Sequence, residues 1–318
     1  MKKILCIGSV TTDIILRTVD RLPAPGELQA VENTSVHIGG CAANAARDLR
    51  KLGCQAQLCC KVGTDMFGEY VLQKTREEGM DPAGIIFSPN TQTTVSVVTV
   101  NSDGERSFLY NPGSTAAFEA ADIPTGLVDW ADIVFVAGAL LTPAFDGVPC
   151  ARFLEKCRQA GKVTVMDTAW DYEDRWRDKI QAAWPFLDWF MPSLEEAKKL
   201  SALEKAEEIA AYFQSAGVRN VMIKLGAKGV YVLLQNGESR MMPAFKNIAV
   251  VDTTGAGDAF CAGFLAGLSM EWTPFDSAEL GNAVGGHCIM QVGASSGITP
   301  LPEILHFMNH RKGDTYGA

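Results

Sequence analysis

Two hydrophobic periods alternate along this chain. Short apolar runs rich in Val and Ile predict strands at residues 3–8, 56–62, 132–138, 162–167, 189–191 and 220–225. Between and after them, a period near 3.6 predicts helices at 41–52, 67–78, 150–160, 174–183, 194–200, 204–216, 259–268 and 278–291. Gly53 and Gly79 stand where the first two helices need a residue free to turn left-handed. Strand followed by helix, repeated, predicts one α/β unit: a mostly parallel central sheet with helices on both faces.

Two stretches break that rhythm. Residues 14–36 are turn-rich at Arg21–Gly26, and residues 27–37 alternate as a strand does. Residues 91–100 and 106–110 also read as strands, joined by a hairpin with Asp103-Gly104 at its tip. Together, 14–36 and 91–110 predict a small inserted β-sheet, leaving 1–13, 37–90 and 111–318 as the main unit.

Composition narrows the classes of partner. With 318 residues, 47% of them hydrophobic, the chain can bury a large core. A net charge of −9 without any Lys/Arg block speaks against a nucleic-acid partner, because phosphate binding needs concentrated positive charge. The apolar run after Met1-Lys2-Lys3 is too short for a signal peptide and no run spans a bilayer. Nine cysteines without a C-x-x-C pair fit reduced thiols in the cytoplasm better than disulfides or zinc, and His287 has no metal-spaced partner, so it reads as packing.

The chemistry concentrates at residues 252–260, which read as a tight loop between an apolar run at 248–251, taken as strand, and a buried helix. Gly255 and Gly257 let the backbone approach a ligand, and the amides of Gly255, Ala256 and Gly257 at a helix start form an anion hole. Asp258 follows directly, and a carboxylate beside a phosphate site costs electrostatic energy. Either it is a general base for a hydroxyl attacking phosphorus, or it only caps the helix.

The stretch Asp252-Thr253-Thr254-Gly255-Ala256-Gly257-Asp258-Ala259-Phe260 resembles the C-terminal signature of the ribokinase-like (PfkB) carbohydrate kinases. Gly39-Gly40-Cys41-Ala42-Ala43-Asn44-Ala45-Ala46 is similar to that family's N-terminal glycine-pair motif. Order and separation fit, and the resemblance covers essentially the whole chain. It implies a ribokinase-like fold whose small sheet is a lid over the sugar, and lids that pair between subunits in a homodimer. The implied reaction uses ATP and Mg2+ to phosphorylate a small sugar or sugar acid.

Site residues follow from the same resemblance. Asp13, a loop acid by its own context, would bond sugar hydroxyls; Gly39 and Gly40 would let substrate touch backbone; Asn44 would read hydroxyls or else tie a neighbouring loop. Arg106 is read from its own position rather than from the resemblance: after Gly104-Glu105 on the lid, it would hold a carboxylate or phosphate of a sugar acid or sugar phosphate, or pair with Glu105 or Glu27. Residues 191–197 are similar to the family's Asn-x-x-Glu motif, with Ser193 in place of Asn and Glu196 organising Mg2+ through water; both also read as a capping box. Gly226 and Gly229 resemble the nucleotide turn, with Lys224 beside it facing an ATP phosphate or a nearby acid, and Asn282 matches an adenine-pocket position. Asp252, Thr254 and Gly293 resemble a monovalent-cation site, which implies K+ activation. Residues 111–115 depart from the family's Gly-Ala-Asn string. A nucleoside kinase of the same fold, with Phe108, Tyr110 and Trp170 lining a base, and a non-catalytic binder are the alternative readings.

Overall fold

Adjacent residues of the first strand belong to opposite cores. In the computed structural model, which describes residues 1–315, Ile4 and Cys6 pack into one apolar cluster with helices Cys41–Lys51, Ala256–Ser269 and Pro274–Cys288. Leu5 and Ile7 pack into another with helices Val148–Gln159 and Ala206–Ser215. The two-residue period of a strand makes this division: a strand apolar at every position is covered on both faces.

The strands are β1 (Ile4–Gly8), β2 (Thr11–Arg17), β3 (Asn33–Gly39), β4 (Ala56–Gly63), β5 (Ile85–Ser88), β6 (Val95–Val100), β7 (Arg106–Asn111), β8 (Ile133–Ala139), β9 (Val163–Thr168), β10 (Trp189–Phe190), β11 (Asn220–Lys224), β12 (Val230–Leu233) and β13 (Ser239–Met242). Nine form a sheet in the order β13-β12-β11-β10-β9-β8-β1-β4-β5, parallel from β11 through β5, with β12 and β13 antiparallel at one edge. The parallel strands end at one edge of the sheet, where an α/β fold presents its ligand site. Among the described residues no helix is long and apolar enough to cross a membrane.

The other four strands form a separate sheet, β3-β2-β6-β7. Its register places His37, Asp13, Ser96 and Tyr110 in one row across the sheet, and Arg17, Val100 and Arg106 in another. The hairpin between β6 and β7 turns as expected, with Gly104 at φ 83°.

Five local expectations change. Of the alternating run 27–37 only the part from Asn33 is strand, in β3. Asp13 lies within a strand rather than a loop, because Thr11–Arg17 pairs on one side with β3 and on the other with β6. The apolar run 248–251 forms no strand: Val250 and Val251 are exposed, and the amides of Val251 and Asp252 donate to Ile289 O. β-branched residues without a partner strand have no ladder to join. The helix expected at 174–183 is only the turn Arg177–Ile180 followed by the 3-10 segment Gln181–Phe186, because the Asp171 carboxylate takes the amides of Glu173, Arg175 and Trp176, and Pro185 follows. Residues 91–94 stay outside β6, since Asp65 accepts both the amide and the hydroxyl of Thr93.

Candidate active site

Helix Ala256–Ser269 begins at Gly255, whose φ is 75°, and a Cβ there would collide with Ala294 O. Glycine is therefore required twice over, by conformation and by space. The first amides of this helix have no intrahelical acceptor and lie at its positive end, with Ala256 N donating back to Thr253 O at 3.3 Å. Gly40, at φ 94°, starts helix Cys41–Lys51 pressed against Ser9 O, and a Cβ on Gly39 would sit on the Asp13 carboxylate. These two helices pack together in the same core. Their packing joins the two glycine motifs: Asn44 Nδ2 donates to Asp258 Oδ2 at 2.8 Å. Burial pushes the Asp258 pKa up, while the Asn44 hydrogen bond and the charge of Lys224 hold it down in part. The net rise makes the carboxylate a better proton acceptor.

Polar atoms without partners gather here. Asn44 Oδ1 and the Tyr110 hydroxyl are buried with no hydrogen bond. Tyr110 shares its row with Asp13, whose carboxylate accepts from Thr11 Oγ1 at 2.8 Å and whose pKa burial raises. The Tyr110 ring leans on Tyr172, 5.9 Å between centroids, bridging the small sheet and the segment after β9. Each unpaired buried group costs about 1–3 kcal/mol. A ligand carrying several hydroxyls satisfies donors and acceptors together.

Lys224, at the end of β11, meets an acid that its sequence context did not single out. Its ammonium bonds both oxygens of Asp167, at the end of β9, at 2.7 and 2.8 Å. Burial pushes Asp167 up to about 6 against the pull of Lys224. Burial also works against the Lys224 charge, but Asp167 outweighs it and raises the lysine pKa. Symmetric contact with both oxygens is the geometry of an ionised pair, and we assign it so. An Asp at the carboxyl end of a buried parallel strand was the signal available in the sequence.

Glu196 Oε2 accepts from the Ser193 amide at 3.0 Å and from Thr168 Oγ1 at 2.9 Å, while Ser193 Oγ accepts from the Glu196 amide. The capping box is thus present at the start of helix Leu194–Ser201. Gly229, at φ 97°, is pressed against Met242 O, whereas Gly226, at φ 58°, faces open space. The Asn282 amide donates to Met242 O and Pro243 O, anchoring the end of β13. Lys228 is exposed. Among the described residues no group of three or more His, Cys, Asp or Glu side chains could hold a metal. His287 packs edge-on against Phe307.

Arg106 pairs with neither Glu105 nor Glu27; its guanidinium sits on Asp252 Oδ1, and Glu27 is held by Arg21. Asp252 Oδ1 also accepts the Thr254 amide and Oδ2 the Gly293 amide, both at 2.8 Å. Both oxygens of the carboxylate resembling a cation ligand are therefore engaged. A second cation about 4 Å from the guanidinium would meet a repulsion of about 4 kcal/mol at an effective dielectric of about 20. Beside this pair lies a cavity of about 370 Å³ bounded by Asp13, Arg17, His37, Phe108 and the loop at Gly293–Ser296.

Residues 1–301 match the family model described as pfkB family carbohydrate kinase. The ribokinase of Haemophilus influenzae is 28% identical over 97% of this chain and 99% of its own length. The 2-dehydro-3-deoxygluconokinase of Bacillus subtilis is 27% identical over 91% of this chain and 94% of its own. Among solved structures, Thermotoga maritima ribokinase superposes with a TM-score of 0.82 at 26% identity, covering 97% of this chain and 100% of that one. Arabidopsis thaliana ribokinase, solved with ribose and ATP, superposes at 0.85 with 23% identity over 96% and 98%.

Proposed function

The chain belongs to the pfkB family of carbohydrate kinases and is a sugar kinase, and on that premise we propose a reaction for this site. A hydroxyl of a small sugar or sugar acid attacks the γ-phosphorus of ATP. Asp258 takes the hydroxyl proton, the new bond forms between sugar oxygen and phosphorus, and the bond from phosphorus to ADP breaks. The Gly255, Ala256 and Gly257 amides hold the developing charge, and Lys224, steadied by Asp167, places an ammonium beside them: a Cβ on Gly257 would lie 3.4 Å from its Nζ. Bound with the phosphates, Mg2+ would neutralise their charge, and Glu196 would face it through water. Ser193 positions that carboxylate by capping its helix.

The observation that carries the reading is the Asn44–Asp258 hydrogen bond, set beside the unpaired Asn44 Oδ1 and Tyr110 hydroxyl. It ties the raised-pKa carboxylate to the helix that carries Asn44, and the Tyr110 hydroxyl lies within electrostatic reach of Cys41 and Asp13, which supports one shared site. Asp13, Gly39, Gly40 and Asn44 make up the sugar side; Gly226, Gly229 and the Asn282-anchored strand end border the nucleotide side. The Tyr110–Tyr172 ring pair favours a second reading, a nucleoside whose base sits against the aromatics.

Segments 14–36 and 91–110 act as a lid over the sugar, excluding water. The outer face of that sheet aligns Val36, Ile14, Val97 and Leu109 across four strands, with Val36 and Leu109 exposed, which supports a homodimer formed lid to lid. Nine unpaired thiols favour a reducing, cytoplasmic setting.

The test is ADP release from Mg-ATP across ribose, fructose, keto-deoxy sugar acids, sugar phosphates and nucleosides, native against Asp258→Asn. One acceptor should drive turnover that the substitution lowers by about 10² or more with ATP binding intact. In the native enzyme kcat should fall as pH drops through the raised Asp258 pKa. Equal turnover by both proteins would remove Asp258 from the mechanism.

A further inference from the structure

We propose that Arg106 is a positioning residue that couples the four-stranded sheet to the anion hole through Asp252, and that together with Lys51 it does there what a bound monovalent cation would do. The inference rests on the kinase reading of the Gly255–Gly257 loop.

Asp252 is a buried hub. Its side chain is 2% exposed, and it ties together three pieces of chain: the Thr254 amide on Oδ1, the Gly293 amide on Oδ2, and the Arg106 guanidinium. Thr254 immediately precedes Gly255, and Gly255 packs directly on Ala294, one residue past Gly293. Moving the Asp252 carboxylate therefore moves both walls of the anion hole. The loop after Gly293 is held by the protein's own donors. Lys51 Nζ bonds Ser295 O at 2.6 Å, Cys288 Sγ approaches Ala294 O at 3.2 Å, and His287 Nδ1 lies 2.7 Å from Gly297 O. Two tethered cations thus serve the two walls, Arg106 on Asp252 and Lys51 on the loop after Gly293, and each comes from a different element.

Arg106 is the first residue of β7, and Tyr110 lies on the same face of that strand four residues on. The Tyr110 hydroxyl is among the unpaired groups of the sugar side. One rigid strand thus touches the sugar site at one end and the Asp252 hub at the other. When the sheet seats on a sugar, the guanidinium seats on Asp252 and the anion-hole amides are aligned.

The experiment compares native protein, Arg106→Gln and Arg106→Lys in KCl and in tetramethylammonium chloride at equal ionic strength. It reads melting temperature and, with the acceptor found above, kcat and KM. The native protein should melt and turn over equally in the two salts. Arg106→Gln should lose kcat by about 10²-fold through misplaced amides, with a smaller change in the KM for ATP. It should recover part of that rate, and gain melting temperature, in K+ only; Arg106→Lys should keep most of the native rate. Rescue by K+ would not follow from a merely structural lesion. A K+-specific rise in the native melting temperature or rate would overturn the proposal, as would an Arg106→Gln protein indifferent to K+ in both readouts. If Arg106→Gln does not fold, the native salt comparison and Arg106→Lys decide. Should no acceptor be phosphorylated, the kinase reading fails, while the melting comparison still judges the cation inference.

Discussion

Replacing Asp48 with Asn should stabilise this protein at neutral pH and flatten its stability–pH curve. Asp48 lies on helix Cys41–Lys51, one turn beyond Asn44, with no exposure and neither carboxylate oxygen hydrogen-bonded. Burial pushes its pKa up from 3.8 to about 8. The charges of Lys51 and Arg47 pull it down, and the Asp258 charge pushes it further up. The unfolded chain releases this proton near 3.8, the folded chain near 8. The stability Asp48 contributes is therefore complete below pH 4 and is lost as pH rises to about 8. At about 1.4 kcal/mol per unit, the loss approaches about 4 kcal/mol by pH 7 as an upper bound. Asn carries no such charge but leaves its own amide to be satisfied. A net gain of about 2 kcal/mol is expected, or about 3 °C in melting temperature for a chain of this size. Melts of both proteins from pH 4.5 to 8.5 read this directly. The curves should converge at the acid end and separate as pH rises; parallel curves would refute the reasoning.

Two further substitutions probe the site. Lys224→Met leaves Asp167 buried without its counter-charge and should cost about 3–5 kcal/mol, seen as a lower midpoint in urea; adding Asp167→Leu should recover most of that stability without recovering turnover. Gly255→Ala forces a left-handed residue against Ala294 O, so kcat should fall about 10²-fold or more while sugar binding, measured by calorimetry, persists.

Much of the scaffold was legible because it is local. Strand and helix periods located β1, β4, β8, β9 and β11, and the capping box at Ser193 and Glu196 needs only neighbours three residues apart. Edge strands β12 and β13 were not seen, since short antiparallel edges carry little pattern. The run at 248–251 misled because a β-branched stretch looks alike whether or not a partner strand exists.

What the sequence determined by itself is the family, the order of the βα units and the two glycine motifs, all carried by residue type at short spacing. The pairings that make a site were decided by tertiary structure. Asn44 meets Asp258 across 214 positions, Lys224 chooses Asp167, and Arg106 chooses Asp252 over its sequence neighbour Glu105. Each choice follows from which strand ends and helix starts the parallel sheet brings to one edge. That is set by register and packing, and a charged side chain carries no record of which distant partner those will deliver.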